Sequence, residues 1–116
     1  MSQDECIFCQ IVEGELPAKI VYRDDDVVAF EDIKPVAPVH VLIIPTRHIP
    51  SVRELGADGA EVLPKLVSTA TRIAAERDIH DAGFRLNINA GPNGGQTVYH
   101  LHLHLIGGRF MTWPPG

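Results

Sequence analysis

This 116-residue sequence has no surplus of positive charge, no internal repeat, no low-complexity tract and no apolar run of membrane-spanning length, and it has only two cysteines. Each shortage removes a class of function. Ten Lys and Arg stand against fifteen Asp and Glu, giving a net charge of −5. That balance argues against a nucleic-acid polymer as the main partner, while leaving room for a single nucleotide held by local dipoles. With no segment able to span a bilayer, no membrane partner is expected. The acidic start, Met1-Ser2-Gln3-Asp4-Glu5, leads into no apolar run of signal-peptide length, which predicts a cytoplasmic location. In that reducing compartment Cys6 and Cys9 are expected as thiols or metal ligands rather than as a disulfide. The length suits one domain over residues 1–116, with a modest core that gains from association with a second copy.

What the chain does have is histidine at one spacing. Tyr99-His100-Leu101-His102-Leu103-His104-Leu105-Ile106 carries three of the six histidines at alternate positions. The segment is bounded by Gly94-Gly95 and Gly107-Gly108, which selects a strand over a helix. Side chains alternate along a strand, so His100, His102 and His104 are expected on one face and Leu101, Leu103 and Leu105 on the other. A wet strand face needs only some polar residue. Imidazole in register is more specific, because it titrates near neutrality and serves as nucleophile, acid, base or metal ligand.

Along the rest of the chain, Ile7, Phe8, Ile11 and Val12 are spaced for one or two helical turns ending at Gly14. Within that segment Cys6 and Cys9 have the spacing of half a tetrahedral zinc site. A redox CxxC would need a preceding strand and a βα junction, for which there is no room. Ile20–Arg23 and Val27–Asp32 read as a hairpin around the solvated turn Asp24-Asp25-Asp26. Asp32, at the strand end, is either solvated or an acceptor for a ribose. His40–Pro45 is an apolar run that predicts a central strand; His40 and His48 at its two ends could each simply cap backbone. A long helix is expected from about Gly56 to Arg77, with Val62, Leu66, Thr69, Ala70, Ile73 and Ala74 inward and Asp58 and Glu61 as a capping pair. Pro64 requires that helix to start near Ala60 or to kink. His80 has no expected partner. Phe84–Asn89 alternates as a strand and runs into Ala90–Thr97, whose glycines suit either a tight connection or the approach of backbone N–H groups to an anion.

The pattern His-φ-His-φ-His-φ-φ over His100–Ile106, with φ apolar, resembles the signature of the histidine triad superfamily of nucleotide hydrolases and transferases. Ile33-Lys34-Pro35, Ala37-Pro38-Val39-His40, Ile44-Pro45 with His48 following, Gly94–His100 and the tail Gly107–Gly116 all resemble its Hint branch, in the right order and over nearly the whole chain. The resemblance implies an α+β fold: a five-stranded antiparallel sheet with one long and one short helix, paired as a homodimer into a ten-stranded sheet. The tail 107–116 would contribute to the dimer and the active site. It also implies a purine nucleoside phosphoramidase, cleaving P–N bonds of adenosine or guanosine 5′-monophosphoramidates and of nucleotidylated lysine. Its partners would be purine nucleotides and a second copy of the chain.

By the same resemblance His102 is the nucleophile, forming a nucleotidyl-histidine that water hydrolyses, with its other ring nitrogen held by a backbone carbonyl. His104 and His40 share the catalytic pocket with Thr97, which stands where serine is common in the branch. Asp32 matches the ribose-binding acid and Ile33 the apolar nucleoside wall. Asn89, Gly95, Gln96 and Thr97 are nucleotide-contacting positions alongside His102 and His104, and Trp113 reaches across the dimer. Some bacterial relatives hold a structural zinc with residues matching Cys6, Cys9, His48 and His100, a set soft enough and large enough to close a tetrahedron.

Three other readings compete. A catalytic metal on all three alternate histidines would have to bridge roughly 13 Å of strand, too far for one ion, so no catalytic metal is expected. A nucleotide sensor or adaptor would use the same pocket without needing turnover. A dinucleoside polyphosphate hydrolase, the sister branch, fits the Gly107-Gly108-Arg109 run and the Trp113–Gly116 tail less well.

Overall fold

The protein is described by a computed structural model over residues 5–116, the side chain of Asp58 excepted. A short helix α1 (Ile7–Val12) leads into the hairpin β1 (Ile20–Arg23) and β2 (Val27–Glu31), followed by β3 (Val39–Pro45). Two 3-10 turns then precede the long helix α2 (Gly59–Glu76), and β4 (Phe84–Asn87) and β5 (Leu103–Gly107) complete the sheet. The strand order is β1-β2-β3-β5-β4, antiparallel throughout. This is the α+β fold, a five-stranded antiparallel sheet with one long and one short helix, that the resemblance implies.

The sheet is covered on both faces, which explains why β2 and β3 read as almost unbroken apolar runs. Val27, Ala29, Val41, Ile43, Leu101, Leu103 and Leu105 pack with Leu66, Ala70, Ile73 and Ala74 of α2. On the opposite face Val28, Phe30, Leu42 and Ile44 pack with Cys6, Phe8, Cys9 and Ile11 around α1. Fully burying one such aliphatic side chain contributes about 1.5–3 kcal/mol. At the hairpin Asp24 Oδ1 accepts from the N–H groups of Asp26 and Val27, both at 2.8 Å, so this acid builds the turn.

Helix α2 carries the expected inward stripe, and its start at Gly59 puts Pro64 on an exposed side just past the first turn. The expected Asp58–Glu61 cap lies outside the described side chains. His80 is exposed, with Asp81 Oδ1 at 3.1 Å and the Phe84 ring tilted beside it. The expected strand through Phe84–Asn89 stops at Asn87.

One strand expectation needs correcting. The histidine segment is a strand only from Leu103 onward; His100 and His102 precede it. Ile43 pairs with Leu103, so the position opposite Leu101 falls at Pro45, which has no N–H to donate into a ladder. The Leu101 N–H turns instead to the Ile49 carbonyl at 2.7 Å. Alternation nevertheless persists: the three leucines enter the α2 face while the three histidines point to the α1 face.

Candidate active site and metal cluster

The histidine segment carries two clusters, one at each end. At the first end, His100 is fully buried and its Nε2–H donates to the Pro45 carbonyl at 2.9 Å. A carbonyl only accepts, so the proton sits on Nε2 and Nδ1 is left bare. That bare nitrogen lies 3.5 Å from both Cys6 Sγ and Cys9 Sγ, and His48 Nδ1 lies 3.2 Å from Cys9 Sγ. Zinc bonded tetrahedrally to sulfur and nitrogen sets neighbouring S and N ligands roughly 3.5 Å apart. All four ligand atoms lie within 4.8 Å of one another. Donor chemistry and spacing therefore both fit a closed Cys2His2 metal site, with the Pro45 carbonyl orienting one imidazole from behind.

Burial shapes the charge of this cluster. It pushes the Cys9 thiol up to about 12, helped by the hydrogen bond and charge of Cys6. It pulls His100 down to about 4 against the opposing pull of the Pro45 carbonyl. Without a cation both groups are neutral, so Cys9 is no low-pKa redox thiol.

At the other end, the hydrogen bonds fix the protons of three imidazoles. The Val36 N–H donates to His40 Nδ1 at 3.2 Å, so neutral His40 carries its own proton on Nε2. That Nε2–H donates to His104 Nδ1 at 2.9 Å, with Asp32 Oδ2 beside it at 3.4 Å. His104 must then carry its proton on Nε2. Among the described residues this Nε2 is the one buried side-chain nitrogen or oxygen without a partner. Between the clusters, His102 Nδ1–H donates to the His100 carbonyl at 2.8 Å, which leaves the lone pair on Nε2.

The outcome is a bare nitrogen on one ring next to an N–H donor on another, with ring centroids 5.0 Å apart. A phosphoryl group brought to such a pair meets a nucleophile and a donor for a non-bridging oxygen. Desolvation by burial lowers the pKa of His102 below the ordinary 6.5, opposed by the His100 carbonyl and by Asp32. Burial, then the neighbouring His102 and His40, brings His104 down to about 4. Both rings are thus neutral at pH 7, as a nucleophile requires.

Of the remaining expected residues, Asp32 reaches this centre through His40. Asp32 follows β2, and its Oδ1 accepts from Lys34 N at 2.8 Å. Ile33 is 93% exposed and Trp113 82% exposed. Asn89 accepts from Asn87 Nδ2 at 2.8 Å, and Thr97 is exposed at the end of the glycine loop. Gln96 is buried: its Oε1 accepts from Gly91 N, and its Nε2 donates to the carbonyls of Pro50 and Val98. Its side chain braces the loop from inside. The Gly95 N–H is used within the loop itself, donating to the Pro92 carbonyl at 3.1 Å. Gly94 has no alternative, since a Cβ there would collide with the Ala90 carbonyl.

Two contributors escape a reading of the sequence alone. Phe8 meets His102 edge-on at 5.1 Å and 89°, walling that imidazole on the α1 side; its place inside the CxxC was the available signal. The Val36 N–H and the Pro45 carbonyl are backbone groups, which no residue type announces, whereas the backbone carbonyl expected behind His102 is that of His100.

Residues 5–113 match the family model described as the scavenger mRNA decapping enzyme C-terminal binding domain, and the chain belongs to the histidine triad (HIT) superfamily. It is 46% identical over 106 residues to the purine nucleoside phosphoramidase of Escherichia coli K12, a match covering 91% of this chain and 89% of that one. The crystal structure of a HIT family hydrolase from Legionella pneumophila superposes with a TM-score of 0.95 at 46% identity, covering 97% of this chain and all of the other. A zinc-bound histidine triad family protein from Mycobacterium smegmatis superposes with a TM-score of 0.81 at 32% identity, over 93% of this chain and 78% of that one.

Proposed function

We propose that this protein is a purine nucleoside phosphoramidase of the Hint branch, hydrolysing the P–N bond of adenosine or guanosine 5′-monophosphoramidates, nucleotidylated lysine included, through a nucleotidyl-histidine on His102. The observation that carries this reading is the pairing of a bare His102 Nε2 with the unpartnered N–H of His104. The similarity to the E. coli phosphoramidase supports it.

His102 Nε2 attacks the α-phosphorus, and the P–N bond breaks with its electron pair on nitrogen, which takes a proton from solvent and leaves as the amine. The His100 carbonyl accepts from Nδ1–H and stabilises the imidazolium-like ring of the intermediate. His104, held by His40, donates to the phosphoryl oxygen where charge accumulates. Water then adds to phosphorus, the P–N bond to His102 breaks, and the nucleoside monophosphate departs. Asp32 receives the ribose, Ile33 walls the nucleoside, and Asn89 and Thr97 face the phosphate and leaving group, on a loop shaped by Gly95 and braced by Gln96.

In this reading residues 1–116 form one HIT domain of a cytoplasmic homodimer with a ten-stranded sheet, in which the exposed Trp113 of the tail reaches the neighbouring site. Cys6, Cys9, His48 and His100 hold a structural zinc, which ties the N-terminal segment to the histidine segment and takes no part in the reaction. The S···N spacings near 3.5 Å support that site.

The test is release of AMP from adenosine 5′-monophosphoramidate by the purified protein, with His102→Ala and a chelator in parallel. Turnover that falls at least a thousandfold in the variant, on the order expected for loss of a nucleophile, and that survives chelation is the expected result. Tight AMP binding without turnover in the unaltered protein would overturn the assignment in favour of a nucleotide sensor.

A further inference from the structure

We propose that Arg109 is a positioning residue of this site, acting through the peptide of Val36 to hold His40 and His104 in the tautomers that leave a donor on His104. The inference rests on the reading above and adds a residue to it.

The loop Ile33–Pro38 joins β2 to β3 and carries the exposed Ile33 and Val36. Pro35 and Pro38 have no N–H, and the Lys34 N–H is used by Asp32. Among the described residues, no backbone–backbone hydrogen bond holds the middle of this loop. Two side chains hold it instead, and both act on Val36. Its N–H donates to His40 Nδ1 at 3.2 Å, and its carbonyl accepts from Arg109 Nε at 3.0 Å.

Arg109 is itself fixed from two sides. Its Nη1 donates to the Phe110 carbonyl at 3.2 Å. The residue before it, Gly108, has φ +90 and lies so close to the loop that a Cβ would come within 2.9 Å of Pro38 Cβ. The tail therefore crosses directly over the loop, and the guanidinium closes the crossing with a charge-assisted bond.

The consequence lies in where protons sit. If Val36 moves away, His40 Nδ1 loses its donor, and only Asp32 Oδ2, at 3.4 Å from Nε2, still favours the proton there, so both tautomers become populated. The tautomer with the proton on Nδ1 presents a bare Nε2 to His104, which then donates from Nδ1 and leaves its own Nε2 bare. Two bare nitrogens, on His102 and His104, would then face the phosphoryl group. Nucleophilicity remains, but the donor is lost.

The experiment uses the full-length, metal-loaded protein and reads imidazole tautomers by long-range 15N–1H NMR, alongside kcat and KM on adenosine 5′-monophosphoramidate. Arg109→Ala should shift His40 and His104 to mixed tautomers, leave His102 unchanged, and lower kcat about tenfold, as loss of a supporting hydrogen bond commonly does. Arg109→Lys keeps a cationic donor for the Val36 carbonyl and should restore most of both readouts. Val36→Pro keeps that carbonyl but removes the N–H, so it should reproduce the tautomer change with Arg109 intact. A folded Arg109→Ala protein with unaltered His40 and His104 tautomers would overturn the proposal, whatever its turnover. So would a tautomer change in Val36→Pro with none in Arg109→Ala. Because tautomers are read without substrate, failure of the phosphoramidase reading remains distinguishable from failure of this one.

Discussion

His100 and His104 are the same residue type, four positions apart, and they belong to opposite kinds of site. His100 is enclosed with two thiols and a second imidazole, and each of its nitrogens has a neighbour. His104 meets an imidazole and, through it, a carboxylate, and retains an unpartnered N–H. The first set is soft and fully paired, as suits holding something permanently; the second is harder and open only in that one buried N–H lacks a partner, as suits a ligand that comes and goes. Partners decide the role, and the partners come from elements far away in the chain.

Substitutions at the two ends should therefore fail in different currencies. His102→Ala has the largest effect on turnover and should cost only about 1–3 kcal/mol of stability, from the His100 carbonyl left unpaired beside Phe8. Cys6→Ala should do the reverse. At free zinc 100 to 1,000 times Kd, its loss of metal should lower stability by about 3–4 kcal/mol, while turnover per folded molecule falls less than tenfold. Urea titrations with and without zinc, beside the turnover assay, check both. Equal losses in both readouts would erase the distinction between the ends.

His40→Ala sharpens the comparison at the open end. Removing the ring that orients His104 should lower kcat by about 10–100-fold, with bound zinc, measured by metal analysis, unchanged. The pH response is gentler. His104 falls to about 4 in the folded protein from 6.5. Between those values the unfolded chain binds more protons, so stability should decline as pH falls from 6.5 towards 4. The decline should be shallower in His104→Asn, as read from urea midpoints at pH 7.0, 5.5 and 4.5 on metal-loaded protein. Ile33→Ala gives the smallest effect: at 93% exposure it should alter stability by less than about 0.5 kcal/mol, while raising KM a few-fold.

Most of the fold was legible because periodicity records burial. The stripe of α2 and the apolar run of β3 report which faces meet a core. The Cys6, Cys9, His48 and His100 cluster was legible only through resemblance, since two cysteines at that spacing do not name their distant partners. What pattern could not supply was the start of β5, set by a proline on a neighbouring strand, and the hydrogen bonds that assign protons to rings. Gln96 shows the same limit. An amide in a glycine loop reads as a ligand contact, and only its three partners reveal it as a brace.

The cluster at the closed end also bears on how the chain is made. Cys6 and His100 are 94 positions apart, with His48 roughly midway. A nascent chain can offer the two thiols early and the first imidazole later, but it cannot complete the four-ligand set until residue 100 has left the ribosome. By then β1 to β4 have already been synthesised. A metal held by all four ligands would close a loop through most of the chain, whose entropic cost grows only slowly with length. Full metal affinity would thus arrive only after β1 to β4 have been made, and metal content in a translation-arrested series would record when the two segments meet.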